Sequence, residues 1–291
     1  MLFANCHNHS TFSDGVYTPE EIIDLAYQLG HKAMILTDHD TVRGTYFFQN
    51  AARLKGMLTL QGCEFSVIGP NGEDIHLLGI DFNPDNVQMQ KLLANGSGKQ
   101  RERTHLLFDW GLERGSLRPG ITWQEVLDRF PYNDYICNNQ VFTLMLERGI
   151  YTYDEYPEFF NGTFKPDQQT RQKLKEQLTF KVPPIDHVIR VIKDSGGVPV
   201  VAHPNTFSDI ADDLIKLGVM GFETRHPLLT DEEKVYFDEL CTKNNLYKLG
   251  GTDHSSILGG YADRIENLNV PPETGYVEET DFMKLYKREL G

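Results

Sequence analysis

Short apolar runs and longer amphipathic stretches alternate along most of this 291-residue chain. Residues 2–9, 33–37, 58–64 and 75–81 read as strands. After the first of them, Thr18 as N-cap, Pro19 in the first helical position and Glu21 closing a capping box predict a helix that Gly30 ends. A second helical stretch follows Gly44 to about residue 54. This is a βα rhythm.

From about residue 83 to residue 181 the rhythm gives way to helices, such as 101–113 and 123–130, separated by Asn, Gly and Pro. That predicts an inserted helical lobe. After Pro183-Pro184 the alternation resumes, with helices at 185–194, 210–217 and 231–244 and strands at 198–202, 219–223 and 246–250. The simplest architecture is an α/β fold, a parallel barrel formed by residues 1–82 and 183–291 and interrupted by a helical cap at residues 83–182. No internal repeat or low-complexity tract is visible.

Composition narrows the function. A chain that is 40% hydrophobic can bury a substantial core. Its formal charge of −14 disfavours an extended nucleic-acid surface, where affinity depends on Lys and Arg neutralising many phosphates. The same imbalance is compatible with a phosphorylated substrate, because metal ions neutralise carboxylates and supply local positive charge. No apolar run approaches the ~20 residues of a membrane span. Met1 leads into His7 and His9 without a basic region, an apolar stretch or a cleavage site, so a cytoplasmic protein is expected. Cys6, Cys63, Cys137 and Cys241 lie far apart and lack a CxxC spacing, which fits buried reduced thiols.

The candidate chemistry sits at strand ends. His7 and His9 are two residues apart on a predicted strand, so both imidazoles point to one face and can reach one metal ion. Further ligand types recur later: Asp14, then Asp38, His39 and Asp40, then Glu64, His76, His203, and Asp253 with His254. In a parallel barrel all strand C-termini open on one face, so residues distant in sequence converge there. Five of the ten histidines, His7, His9, His39, His76 and His203, lie at or just after predicted strands, whereas solvated surface histidines would be scattered.

These residues resemble the polymerase and histidinol phosphatase (PHP) family, in particular its stand-alone metal-dependent phosphoesterases. The resemblance rests on His7-Asn8-His9-Ser10, Ser13-Asp14-Gly15, Thr37-Asp38-His39-Asp40, Gly62-Cys63-Glu64, His76-Leu77-Leu78-Gly79, the run from Gly196 through Ala202-His203-Pro204, and Gly250-Gly251-Thr252-Asp253-His254. It implies a distorted (β/α)7 barrel with an inserted cap and two or three divalent ions, Mn, Fe, Zn or Mg. Carried over residue by residue, His7, His9, Glu64 and Asp253 hold one ion, Glu64 bridges to a second held by His76 and His203, and Asp14 with His39 contributes to a third. His254 is a candidate to complete that third site, although the family often ends in Asp-x-His where this chain has adjacent Asp253 and His254. The family also often begins its first motif with Asp where this chain has Asn5, a change expected in a supporting contact.

The resemblance further suggests that His226 faces the pocket after the sixth strand, to protonate a leaving oxygen or bind phosphate. Asp40 is expected in a proton relay or supporting shell. Among the cap residues Lys99, Arg101 and Arg103, Arg103 resembles the basic residue with which the family clamps phosphate, and Lys99 is a second candidate beside it; solvated helix charges are the competing reading. The function expected is hydrolysis of a small organic phosphate, a monoester or a cyclic diester of a nucleotide or sugar, by a metal-activated hydroxide. C–N bond hydrolysis of the amidohydrolase type and a non-catalytic PHP accessory module are the alternatives.

Overall fold

In the computed structural model, which describes residues 3–253 and 276–290, the strands fall into two sheets. β1 (Ala4–Asn5) pairs in parallel with β2 (Ala33–Met34), and α1 (Pro19–Leu29) connects them. The local signals act as the sequence predicts: the Thr18 side chain accepts from the Glu21 amide, Glu21 reaches back to Thr18, and Gly30 closes the helix at φ 94°. α2 (Thr45–Lys55) follows β2.

The second sheet has the order β3 (Gly62–Ile68), β4 (Asp74–Ile80), β5 (Val198–Val201), β6 (Gly221–Arg225) and β7 (Tyr247–Gly250). Here the structure corrects the parallel arrangement. β4 runs antiparallel to both β3 and β5, while β5, β6 and β7 are mutually parallel. The cause is the short connection after β3, where Gly69 N donates to Glu73 O (2.8 Å) and Gly72 takes φ 91°. Such a turn can join only antiparallel strands, because a parallel pair needs a crossover of about a dozen residues or more. The reversal matters for the site, since β4 enters at the end where its neighbours leave. His76, near the start of β4, therefore lies level with the end of β5, and its carbonyl accepts from Ala202 N (3.1 Å).

The two sheets meet through isolated contacts rather than one continuous barrel wall. His39 bridges in parallel to Glu64 on one side; on the other, Cys6 N donates to Gly250 O and Asp253 N to His7 O, both at 2.9 Å. β3 also lies later than residues 58–64. Leu58 makes only a bridge to Ala33, and the strand begins at Gly62 and continues to bury Phe65 and Val67.

Strand alternation divides the core. Leu77 and Val201 join Phe65, Phe222 and Phe237 beneath α8 (Ile185–Asp194), α9 (Ala211–Leu217) and α10 (Asp231–Asn244). Their neighbours Leu78 and Val200 point the other way, to Ala4, Leu249 and Phe282 of α11 (Glu279–Tyr286). Cys6 and Cys63 fall in these two apolar clusters, away from the neighbouring His7 and Glu64, and all four cysteines are buried and free.

The central segment is helical and rooted in the sheet layer. α3 (Val87–Arg114) starts well before residue 101, with Asn86 capping it by accepting from Gln88 N and Met89 N. Met89, Leu92 and Leu93 pack against α8, whereas Leu107, Phe108 and Trp110 belong to a separate cluster. That cluster also holds buried residues of α4 (Trp123–Arg129), α5 (Asn138–Glu147), α6 (Tyr156–Phe159) and α7 (Gln168–Gln177). Gly96 and Gly98 resemble helix breakers in sequence. In the folded chain they are places where α3 needs no Cβ, because Asp40 packs on Gly96 and Phe180 on Gly98.

Candidate metal centre

His7 and His9 follow β1, are fully buried, and bring their Nε2 atoms to 3.2 Å of each other. Asn5 anchors this segment from behind. Its amide donates to Thr252 Oγ1 (2.9 Å) and its carbonyl oxygen accepts from His7 N (3.2 Å) and Thr252 N (3.3 Å), which ties the His7 segment to the one carrying Asp253. Asp38 holds the next loop, accepting from Ser10 N (2.7 Å), Ser10 Oγ (2.7 Å) and Ser13 Oγ (2.6 Å). Helix α5 grips the same loop through Asn139 Nδ2 to Asp14 O (2.5 Å) and Gln140 Nε2 to Ser13 O (2.6 Å). Asp14 is thereby placed 3.7 Å from His9 Nδ1 and 3.8 Å from His39 Nε2.

Glu64 lies at the centre. Its Oε2 is 3.3 Å from His7 Nε2, 3.2 Å from His9 Nε2 and 3.1 Å from His39 Nδ1. Its Oε1 is 3.0 Å from His76 Nδ1 and 3.2 Å from His203 Nε2. One buried carboxylate thus divides its two oxygens between three imidazoles and two. Asp253 Oδ1 joins the first group, 3.2 Å from His9 Nε2 and 3.7 Å from His7 Nε2. Asp40, His203 and Asp253 take positive φ angles of 49°, 29° and 48°, backbone states that cost energy in non-glycine residues and concentrate at functional sites.

Glu223 is one residue that sequence reasoning missed. It is fully buried at the end of the sheet, with Oε1 3.1 Å from His7 Nδ1 and Oε2 accepting from the His203 backbone N–H at 2.6 Å. His226 is buried beside it, with Nε2 4.0 Å from Glu223 Oε2 and 3.7 Å from Asp253 Oδ2. Its Nδ1 accepts from Leu228 N (3.1 Å). In the neutral ring that leaves the proton on Nε2, so His226 faces the cluster as a donor rather than as a ligand.

The electrostatics require cations. Burial alone would raise the Glu64 carboxyl, but His39, His7 and His76 outweigh it and hold it well below the usual carboxylate range. Asp253 and Glu223 are likewise depressed against the effect of burial, chiefly by His7. Burial opposes a proton on His9, yet Asp14, Asp253 and Glu64 push it up to about 10. On His39, stacked on His9 with centroids 4.4 Å apart, burial wins and the ring falls to about 4. Either protons on some of these rings or divalent ions must balance the carboxylates, and binding an ion displaces the protons.

The donor set fits such ions. Glu64 Oε2, His39 Nδ1, His9 Nδ1 and Asp14 Oδ1 are buried without a hydrogen-bond partner, an arrangement that costs free energy unless something else engages them. Among the described residues, four overlapping sets of ligand atoms lie within 4.8 Å of one another: His7, His9, Glu64 and Asp253; His39, Glu64 and His76; His9, Asp14 and His39; and, behind His7, Glu223 with His7 and His226. His and carboxylate together suit Zn, Mn or Fe. His254, expected at the third site, lies outside the described residues.

The remaining expected residues come from α3 and the turn after β2. Asp40 is buried and turned toward α3, and burial raises its carboxyl to about 6 against the opposing charge of Lys99. It belongs to none of the ligand sets. Lys99 and Arg103 line a cavity of about 1130 Å³ together with Asp74, Phe164, Lys165 and Arg171. Arg103 donates to Phe164 O (3.3 Å) and has no carboxylate within ion-pair distance among the described residues. Tyr135, also missed in the sequence, is a buried ring just before α5, stacked on His39 at 5.9 Å.

Comparison with known proteins follows the same lines. The chain is 25% identical over 268 residues to the phosphoribosyl 1,2-cyclic phosphate 1,2-diphosphodiesterase of Eggerthella lenta, covering 89% of this chain and 96% of that protein. It is 27% identical over 226 residues to the 5′-3′ exoribonuclease Rnm of Salmonella typhimurium, covering 76% of this chain and 71% of that one. A crystal structure from Bifidobacterium adolescentis, assigned by inference as a metal-dependent phosphoesterase, shares the fold with TM-score 0.75 at 22% identity over 99% of this chain and 96% of that one. Residues 5–146, which carry His7, His9, Asp14, His39, Glu64 and His76, match the PHP domain.

Proposed function

We propose that this chain is a metal-dependent phosphoesterase that hydrolyses a small phosphate ester, a phosphomonoester or cyclic phosphodiester of a nucleotide or sugar. The observation that carries the reading is the Glu64 carboxylate, whose oxygens face His7, His9 and His39 on one side and His76 and His203 on the other. It is supported by the relatives, one named for a cyclic phosphodiester and one for RNA.

In this reading His7, His9, Glu64 and Asp253 hold one ion, Glu64, His76 and His203 a second, and His9, Asp14 and His39 the third position. Bound divalent ions supply the Lewis acidity that activates water and stabilises charge on phosphate oxygens. The chain's own residues do the rest. The Nε2–H of His226 is oriented as a donor toward the reacting group. Arg103, without a carboxylate partner among the described residues, offers its planar fork to a phosphate, and Lys99 adds charge from the same cavity. Asp40, with its carboxyl raised to about 6 by burial and opposed by the charges of Lys99 and His76, is a group able to hold or pass a proton near neutral pH. The cap amides Asn139 and Gln140 fix the loop that carries Asp14.

Phosphate release from nucleotides, sugar phosphates, cyclic phosphodiesters and short 5′-phosphorylated RNA, assayed with Mn(II)-loaded protein, tests the reading. Turnover of a small ester or cyclic diester in preference to RNA is the expected result. Activity confined to RNA overturns the substrate class, and no activity on any phosphate with a fully metallated protein overturns the phosphoesterase reading.

A further inference from the structure

We infer that Glu223 is the positioning residue that couples the two halves of the metal centre, setting one ligand on each side of Glu64. The inference rests on the metal-centre reading above. Glu223 touches two ligands that belong to different oxygens of Glu64. Its Oε1 lies 3.1 Å from His7 Nδ1, and His7 presents its other nitrogen to Glu64 Oε2 at 3.3 Å. Its Oε2 accepts from the His203 N–H at 2.6 Å, and His203 presents Nε2 to Glu64 Oε1 at 3.2 Å.

Each contact has a distinct effect. Accepting the proton of His7 Nδ1 leaves the lone pair of Nε2 pointing inward, which is the tautomer a metal ligand needs. The bond to the His203 N–H holds a residue whose φ of 29° is otherwise unfavourable, and with it the direction of the His203 ring. Glu223 is completely buried, so water does not substitute for either acceptor. His226, 4.0 Å away, completes the surroundings of the carboxylate.

The chemistry specifies an ionised carboxylate. Two donors converge on Glu223, and a carboxylate offers an acceptor to each. A glutamine of the same shape offers one acceptor and one donor. It satisfies His7 and sets its N–H against that of His203, or satisfies His203 and forces the wrong tautomer on His7. Either way a ligand is misplaced, and loss of such an outer partner weakens metal binding about 10- to 100-fold.

The test is chelator-competition titration of the full-length protein with Mn(II) and Co(II), together with the visible spectrum of the Co(II) form and thermal unfolding of the metal-free form. Glu223→Gln is expected to unfold within a few degrees of wild type, to bind both ions about 10- to 100-fold more weakly, to show an altered Co(II) spectrum, and to recover turnover at saturating metal. Affinities within twofold of wild type and an unchanged spectrum overturn the proposal. If Glu223→Gln does not fold, Glu223→Asp, which keeps two acceptors on a shorter stem, is held to the same criteria. Failure of both to fold while metal-free wild type is folded assigns Glu223 to the core and overturns it as well. A wild-type protein that binds no metal instead overturns the functional reading itself, and that result is visible before any variant is made.

Discussion

The Asp40 carboxylate lies where a side chain at Gly96 would begin, so the long helix α3 packs its bare backbone against a residue next to His39 of the histidine-carboxylate cluster. A Cβ at position 96 would meet the Asp40 Cβ, Cγ and Oδ1 closer than side chains approach one another. Asp40 is buried at φ 49° and has little room to yield.

Gly96→Ala is therefore expected to destabilise the protein. In an exposed helix the change would gain about 1 kcal/mol of helix propensity. Here overpacking costs about 1–3 kcal/mol and wins. The denaturant midpoint should fall and kcat with it, since Asp40 moves. A higher midpoint would mean that α3 does not rest on Asp40.

Arg103→Ala should lower kcat/KM for phosphate esters about thirtyfold, the equivalent of roughly 2 kcal/mol for a charged hydrogen bond to phosphate. Metal content should be unchanged, because Arg103 stands on α3 and contacts Phe164 O rather than any ligand. An unchanged kcat/KM in a metallated variant reassigns Arg103 to holding the cap together and leaves His226 as the residue for phosphate recognition.

A pH effect on stability is expected away from the site. His31 is buried against Tyr276, its Nδ1 has no partner, and burial pushes it down to about 4. The unfolded chain protonates near 6.5. Above that pH both states are neutral and His31 contributes nothing. As pH falls through 6.5 the unfolded state takes up a proton that the folded state refuses, and stability is lost progressively down to about pH 4. His31→Gln removes this dependence. The stability difference between variant and wild type should shift in favour of the variant by about 1 kcal/mol per pH unit between 6 and 4.5, and a difference constant with pH would contradict it.

Much of the histidine-carboxylate cluster was legible because its residue types are unusual and its spacing meets backbone geometry. His7 and His9 at a two-residue interval, and His203 closing the apolar run 198–201, stand out from any solvated pattern. The reversal of β4 had a signal that a βα rhythm obscured, since Gly69-Pro70-Asn71-Gly72 between two apolar runs is a hairpin pattern. The start of α3 was hidden because Gly96 and Gly98 read as breaks, and their purpose depends on Asp40 and Phe180, which are remote in sequence. Glu223 carried no sequence signal of its own. A glutamate in a strand is ordinarily solvated, and only the folded chain shows it meeting His7 from 216 residues away.

The metal content of protein purified without chelator, and again after reconstitution with Mn, Zn or Fe, tests the central claim most directly. Glu64 divides its oxygens between two groups of imidazoles, so at least two equivalents per chain are expected. Glu64→Gln, which removes the charge shared by both groups, should lose metal and turnover while keeping its fold. Less than one equivalent in the reconstituted wild-type protein would contradict a multinuclear centre, whatever activity the chain shows.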